Sequence, residues 1–203
     1  MNRAISIKQF VSTKFKTMTL DGEFKDLLGS PECTSSWIVY GESGNGKTTF
    51  ALRLLAYLCD YYKCAYLSLE EGMKLTFQQA VIDANLLAKG SRVTLWYDLT
   101  LSDLHQKLQE KRAPRIVFVD SCQYLRSSEK STQEITKFDY IELLHKYKDT
   151  LFIFISHGKR GEPTGSLANS IYFGSDICIE VKDFEAINRK NRCGGKGTYA
   201  ITR

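Results

Sequence analysis

The chain has 203 residues, 43% hydrophobic and 25% charged, with only 3 prolines, so it holds a real core and excludes a long disordered protein. A formal net charge of +5 permits a polyanionic partner without requiring one. No apolar run nears the roughly 20 residues that span a bilayer, the start lacks the apolar core of a secretory signal, and the 6 cysteines show no C-x-x-C pair; a cytoplasmic protein with reduced, buried thiols and no membrane contact is expected.

Residues 1–19 are polar and basic, with Lys8, Lys14 and Lys16 between isolated apolar residues. They read as an N-terminal arm, either lying over the core or reaching nucleic acid or a neighbouring subunit. Residues 20–203 read as one domain. Its first element is a short helix, Leu20 to Gly29, with Asp21 as cap and Gly29 as stop. Pro31 then marks the turn into a buried strand, Trp37-Ile38-Val39-Tyr40.

That strand runs into Gly41-Glu42-Ser43-Gly44-Asn45-Gly46-Lys47-Thr48, which fits the phosphate-binding pattern G-x-x-x-x-G-K-[ST]. Thr49 to Leu58 follow with helix formers and apolar residues at helical spacing. The strand and helix flanks give the motif its physical meaning. Its glycines let successive N–H groups face inward as an anion nest, and the helix adds its positive end. Gly41 to Thr49 are the expected nucleotide-binding residues. Lys47 would reach the β- and γ-phosphates of ATP, and the Thr48 hydroxyl would ligate Mg²⁺.

Cys64 to Leu69 read as a buried strand that ends in Glu70-Glu71. Ligands of parallel sheets bind where strands end, so Glu70 is the first candidate to activate an attacking water, with Glu71 second. Residues 73–89 look helical, with Phe77, Ala80, Val81, Leu86 and Leu87 apolar; Arg92 to Tyr97 look strand-like. Ser102-Asp103 read as the cap of a helix from Leu104 to Arg112. Arg115 to Ser121 form an apolar run closing on Asp120. Downstream of a P-loop, such an aspartate is the expected second Mg²⁺ residue, because that ion prefers oxygen donors.

Gln123 to Thr132 are polar and read as an exposed loop. A helix is expected over 134–147, with Ile135, Phe138, Ile141 and Leu144 on its buried side. Thr150 to Ser156 read as another buried strand, and His157 at its end is a candidate contact for the γ-phosphate. Lys159-Arg160-Gly161 open a basic loop suited to nucleic-acid phosphates. Asp176 to Lys182 alternate and predict a half-buried strand. Phe184 to Arg189 and Thr198 to Thr202 predict a hairpin around a turn rich in cations. The strand–helix alternation from 36 to 156 predicts an α/β fold with a mainly parallel central sheet, helices on both faces and this antiparallel hairpin at the C-terminus.

Taken together, these residues resemble the RecA-like P-loop ATPase core, especially the branch of bacterial RadA and the DnaB-type helicases. The resemblance spans about Leu20 to Thr202. Ser68-Leu69-Glu70 sits where that branch carries its catalytic glutamate, Val119-Asp120-Ser121 matches its metal-binding strand end, and Ser156-His157 sits at its γ-phosphate sensor. Lys190-Asn191-Arg192-Cys193-Gly194 resembles a K-N-R-F-G segment, with Cys193 in the aromatic position. By that resemblance Lys190 and Arg192 act on the nucleotide of a neighbouring subunit. It implies an oligomeric Mg²⁺-dependent ATPase, ring or filament, acting on single-stranded DNA. A nucleotide-controlled assembly or signalling ATPase with a protein target stands beside it.

Overall fold

The computed structural model describes residues 4–202. Its first element is α1 (Ile7–Ser12), opened by a capping box in which Ser6 and Gln9 each accept the other's backbone N–H. None of its residues is buried, so the arm does not lie over the core; Met1 to Arg3 fall outside the described residues. The chain joins the core at Met18 and Leu20. Helix α2 (Gly22–Leu28) begins where expected, with Asp21 at its N-cap position, but the Asp21 side chain makes no capping bond. The Asp21 carboxylate instead accepts the Tyr57 hydroxyl at 2.7 Å.

Strands and helices then alternate as far as the fifth strand. They are β1 (Ser36–Gly41), α3 (Lys47–Leu58), β2 (Cys64–Ser68), α4 (Leu75–Asp83), β3 (Val93–Tyr97), α5 (Leu101–Gln109), β4 (Ile116–Asp120), α6 (Lys137–Lys146), β5 (Leu151–Lys159), β6 (Glu162–Pro163), α7 (Ser166–Gly174), β7 (Ile177–Lys182), β8 (Glu185–Asn191) and β9 (Thr198–Ala200). The sheet order is β3-β2-β4-β5-β1-β7-β8-β9, with β6 paired to β5. From β3 through β7 the pairings are parallel; β8 and β9 add antiparallel. The expected architecture is therefore present.

The period of two along each strand splits the core into two layers. On one face Trp37, Val39, Phe118, Ile153 and Ile179 pack under α2, α3 and α4. On the other, Ile38, Tyr40, Val117, Phe154 and Cys178 pack under α5, α6 and α7. Covered faces need apolar strands, which is why β1, β2, β4 and β5 were legible as apolar runs. The same coverage buries Ile177 to Val181 completely. The half-buried reading of β7 was wrong because both its faces are covered: Ile177, Ile179 and Val181 lie in one layer, Cys178 in the other, and buried Glu180 is paired with Arg189.

Other local differences have simple causes. Thr100, not Ser102-Asp103, caps α5: its hydroxyl accepts the Asp103 N–H, and Asp103 returns a bond to the Thr100 N–H. Thr136 and Asp139 repeat that box at α6. Phe138 points outward and is 80% exposed, while Tyr140 and Leu143 are buried. Two positions rotate a helix by roughly 200°, so Phe138 cannot share the face of Tyr140. Helix α4 stops at Asp83, and a 3₁₀ segment over Leu86–Arg92 leaves Leu87 exposed. Helix α7, unassigned in the sequence reading, buries Leu167, Ala168 and Ile171. The basic stretch after β5 is a hairpin whose turn residues, Arg160 (φ 55°) and Gly161 (φ 80°), both adopt left-handed backbone. Strand β8 runs on to Asn191 and takes Lys190 into the sheet.

Candidate nucleotide-binding and catalytic site

The site begins where β1 ends. A Cβ on Gly41 would lie 2.1 Å from the Val181 carbonyl oxygen, so only glycine allows the P-loop to leave the sheet so close to β7. Gly44 (φ 81°) and Gly46 (φ 94°) then turn the backbone through the left-handed region. Helix α3 starts at Lys47 with no acidic residue in its first turn, which leaves its positive end available to an anion. The Lys47 ammonium donates to the Glu42 carbonyl at 3.0 Å. Burial lowers its pKa, and the nearby Asp120 and Glu70 carboxylates oppose that shift.

Strand β4 delivers Asp120, which is 6% exposed. Burial pushes its carboxyl up to about 6, against the lowering effect of the hydrogen bond from Tyr66. The Tyr66 hydroxyl donates to Asp120 Oδ2, and Ser121 Oγ, whose single proton goes to Glu70, stands 3.3 Å from Oδ1. No cation forms an ion pair with Asp120 among the described residues. The Asp120–Ser121 peptide bond is cis.

Strand β2 ends beside it. The Leu69 N–H donates to the Asp120 carbonyl at 2.6 Å, which ties the tips of β2 and β4 together. Ser121 Oγ donates to Glu70 Oε2 at 2.5 Å, and His157 Nε2 lies 3.3 Å from the same oxygen. His157 pairs with Gly41 across β5 and β1, so it stands inside β5 and not at its end. A cleft of about 290 Å³ is lined by Ser43, Gly44, Gly46, Lys47, Thr48, Thr49, Glu70, Glu71, Asp120, His157 and Phe184. Most of the expected residues thus meet in one place.

The others lie elsewhere. Gly41, Glu42 and Asn45 line a separate cavity of about 440 Å³ with Lys159 and Arg160. Lys190 pairs with Cys178, and Cys178 with Ile38, three positions before Gly41. At about 3.3 Å per residue, Lys190 sits roughly 10 Å down the sheet from the P-loop end. Its ammonium donates to the Tyr172 and Phe173 carbonyls at 3.1 and 3.0 Å. Arg192 lies 3.5 Å from Asp176. Between them, the Asn191 side chain donates to the Leu27 and Leu28 carbonyls and fastens β8 to the end of α2.

Three residues of this region escaped the sequence reading. Tyr66 and Ser121 hold the two carboxylates, and Phe184 closes the cleft at the β7–β8 turn, where a Cβ on Gly46 would lie 3.1 Å from its ring. A phenol within an apolar strand and a hydroxyl directly after Asp120 were the available signals. Phe184 gave none, because its place depends on a turn in which Asp183 (φ 49°) and Phe184 (φ 60°) are both left-handed.

No family profile matches the sequence, and no curated protein resembles it. Solved structures do. The flagellar accessory protein FlaH from Methanocaldococcus jannaschii superposes over 93% of this chain and 96% of its own, at 14% identity and TM-score 0.61. A KaiC-like protein from the hyperthermophilic archaeon Pyrococcus horikoshii covers 87% of this chain and 89% of its own, at 15% identity and TM-score 0.64. A solved ATPase domain covers 82% and 80%, at 17% identity and TM-score 0.59. The fold is RecA-like: a mostly parallel sheet between two helical layers, with antiparallel strands at its C-terminal side. At these identities the likeness carries the fold alone, and a fold does not by itself fix a function. What each residue of the RecA-like core does must come from its geometry. Among the described residues, no helix is long and apolar enough to cross a membrane.

Proposed function

We propose that this chain binds ATP with Mg²⁺ in the cleft between the P-loop, Glu70 and Asp120, and hydrolyses it as an oligomer acting on DNA. One observation carries the reading. Lys47 and Thr48 of α3, Glu70 just past β2, Asp120 of β4 and His157 of β5 line the same 290 Å³ cleft.

The donor set fits a divalent cation. Thr48 offers a hydroxyl and Asp120 a buried carboxylate without a cationic partner among the described residues, both hard oxygens. The ion would neutralise charge on the phosphate oxygens. The P-loop N–H groups and Lys47 bind those oxygens. Ser121 and His157 both engage Oε2 of Glu70, which leaves Oε1 as the oxygen to take a proton from an attacking water. His157 leads two residues along β5 to Lys159, so the strand links the γ-phosphate position to the hairpin carrying Lys159 and Arg160. Both are exposed and suited to DNA phosphates.

Lys190 and Arg192 cannot serve the cleft of their own chain, so their charge is assigned to the nucleotide of a neighbour. The arm supports association: Ile7, Phe10 and Val11 on α1 are 79%, 54% and 76% exposed. The test is ATP turnover with and without Mg²⁺ and single-stranded DNA, across salt. Mg²⁺-dependent hydrolysis stimulated by DNA and weakened steeply by salt is expected. Failure to retain ATP with Mg²⁺ overturns the reading. Hydrolysis indifferent to DNA favours the protein-directed alternative, which the outward Phe138 and Phe173 of α6 and α7 support.

A further inference from the structure

Tyr66 lies in β2, 1% exposed. Its ring is stacked on Phe118 at 5.9 Å with 20° between planes, and it meets Phe77 at 5.6 Å. A phenylalanine would satisfy that packing. A buried phenol also brings a hydroxyl that must find a partner, and here the partner is Asp120 Oδ2. Tyr66 and Asp120 are diagonal neighbours on one face, since Tyr66 pairs with Phe118 and Ser68 with Asp120. A carboxylate oxygen accepts and a phenol O–H donates, so Tyr66 is the donor of this bond.

The two carboxylate oxygens are therefore unequal. Oδ2 is held by a hydroxyl whose ring cannot rotate away from its aromatic neighbours. Oδ1 receives only the 3.3 Å contact from Ser121. We propose that Tyr66 is a positioning residue for the metal carboxylate: its hydroxyl pins Oδ2 of Asp120 so that Oδ1 is the oxygen offered to a divalent cation in the phosphate cleft. The proposal rests on the reading that Asp120 holds that cation. It extends it to a residue outside the cleft lining and outside the motifs of the sequence. Carboxylate ligands are oriented by such outer partners, whose loss costs metal sites 10–100-fold in affinity.

The experiment is a Mg²⁺ titration of fluorescent ATP-analogue binding, with EDTA as the metal-free reference and Mn²⁺ binding by electron paramagnetic resonance as the direct measure. Three proteins are compared below their melting temperatures: wild type, Tyr66→Phe and Asp120→Ala. Tyr66→Phe removes one oxygen and keeps the ring. It is expected to match wild type in EDTA and to need roughly 10–100-fold more Mg²⁺ or Mn²⁺ for half-saturation. A protein damaged only in its packing would lose binding in EDTA as well, and that result overturns the proposal. Wild-type metal dependence in Tyr66→Phe, with Asp120→Ala defective, overturns the positioning role alone. Wild-type metal dependence in Asp120→Ala overturns the reading of Asp120 and the proposal with it.

Discussion

Asp120 and Glu70 share a hydroxyl, Ser121 Oγ, yet their surroundings give them different work. Asp120 is buried at a strand tip, and the cost of burying its charge raises its pKa to about 6 from an ordinary 3.8. The sign of the consequence is fixed. Between about pH 4 and 6 the folded state holds a proton that the unfolded state has released, so stability without ligand falls as pH rises through that window. Asp120→Asn removes the buried charge and keeps an oxygen for Tyr66. It should melt above wild type at pH 7, by up to about 3 kcal/mol, and converge with it near pH 4. The same variant should lose Mg²⁺-dependent nucleotide binding; thermal melts at pH 4 and 7 and a Mg²⁺ titration check both halves. Glu70 is about a third exposed and held at one oxygen. Glu70→Gln should keep nucleotide binding and lose turnover by roughly 10²–10⁴-fold in a single-turnover assay. Unchanged turnover would transfer the role to Glu71, which lines the same cleft.

Among the elements, the unit from β1 through the P-loop to α3 carries the strictest constraint. The Gly41 Cβ position is closed by backbone of β7, which cannot move aside as a side chain can. Gly41→Ala should cost about 1–3 kcal/mol, roughly 3–10 °C in melting temperature, and weaken nucleotide binding by displacing the loop. A melt within 1 °C of wild type, on the order of experimental scatter, would show that β7 yields there. This unit was legible from the sequence because each part has a local cause: an apolar run for the buried strand, glycines for the turn, helical periodicity for α3. The starts of α5 and α6 were missed because their capping boxes, Thr100 with Asp103 and Thr136 with Asp139, went unread. Thr100 and Asp103 have the spacing that sets the start of α5, but the hydroxyl and acid at Ser102-Asp103 offered a competing cap. Phe138 fell on the wrong face for a related reason, since the face of a helix follows from its start, and Thr136 sets that of α6.

At the scale of the molecule, Lys190 and Arg192 stand at the opposite end of the strands from the P-loop and are held by α7 carbonyls and Asp176. A catalytic role for them requires a second copy. Specific ATPase activity of wild type should rise with protein concentration, and Arg192→Ala should lower it by up to 10³–10⁵-fold, as other arginine fingers do, without changing nucleotide affinity. Activity independent of concentration would remove the finger from the mechanism. The exposed apolar residues of α1 make a matching prediction: Phe10→Asp with Val11→Asp should shift the oligomer toward monomer in analytical ultracentrifugation and leave the melt unchanged, because α1 buries nothing in its own chain. The sequence by itself determined the class of fold, and it picked out the glycine turn and the two acids that line one cleft, because those depend on local patterns: apolar runs for covered strands, glycines for a turn, a charge where a strand stops. Only the tertiary structure decided that Tyr66 and Ser121 hold those acids, that Phe184 closes the cleft and that Lys190 and Arg192 stand away from it. Those relations join residues far apart in the chain, and strand order and register bring them together or keep them apart.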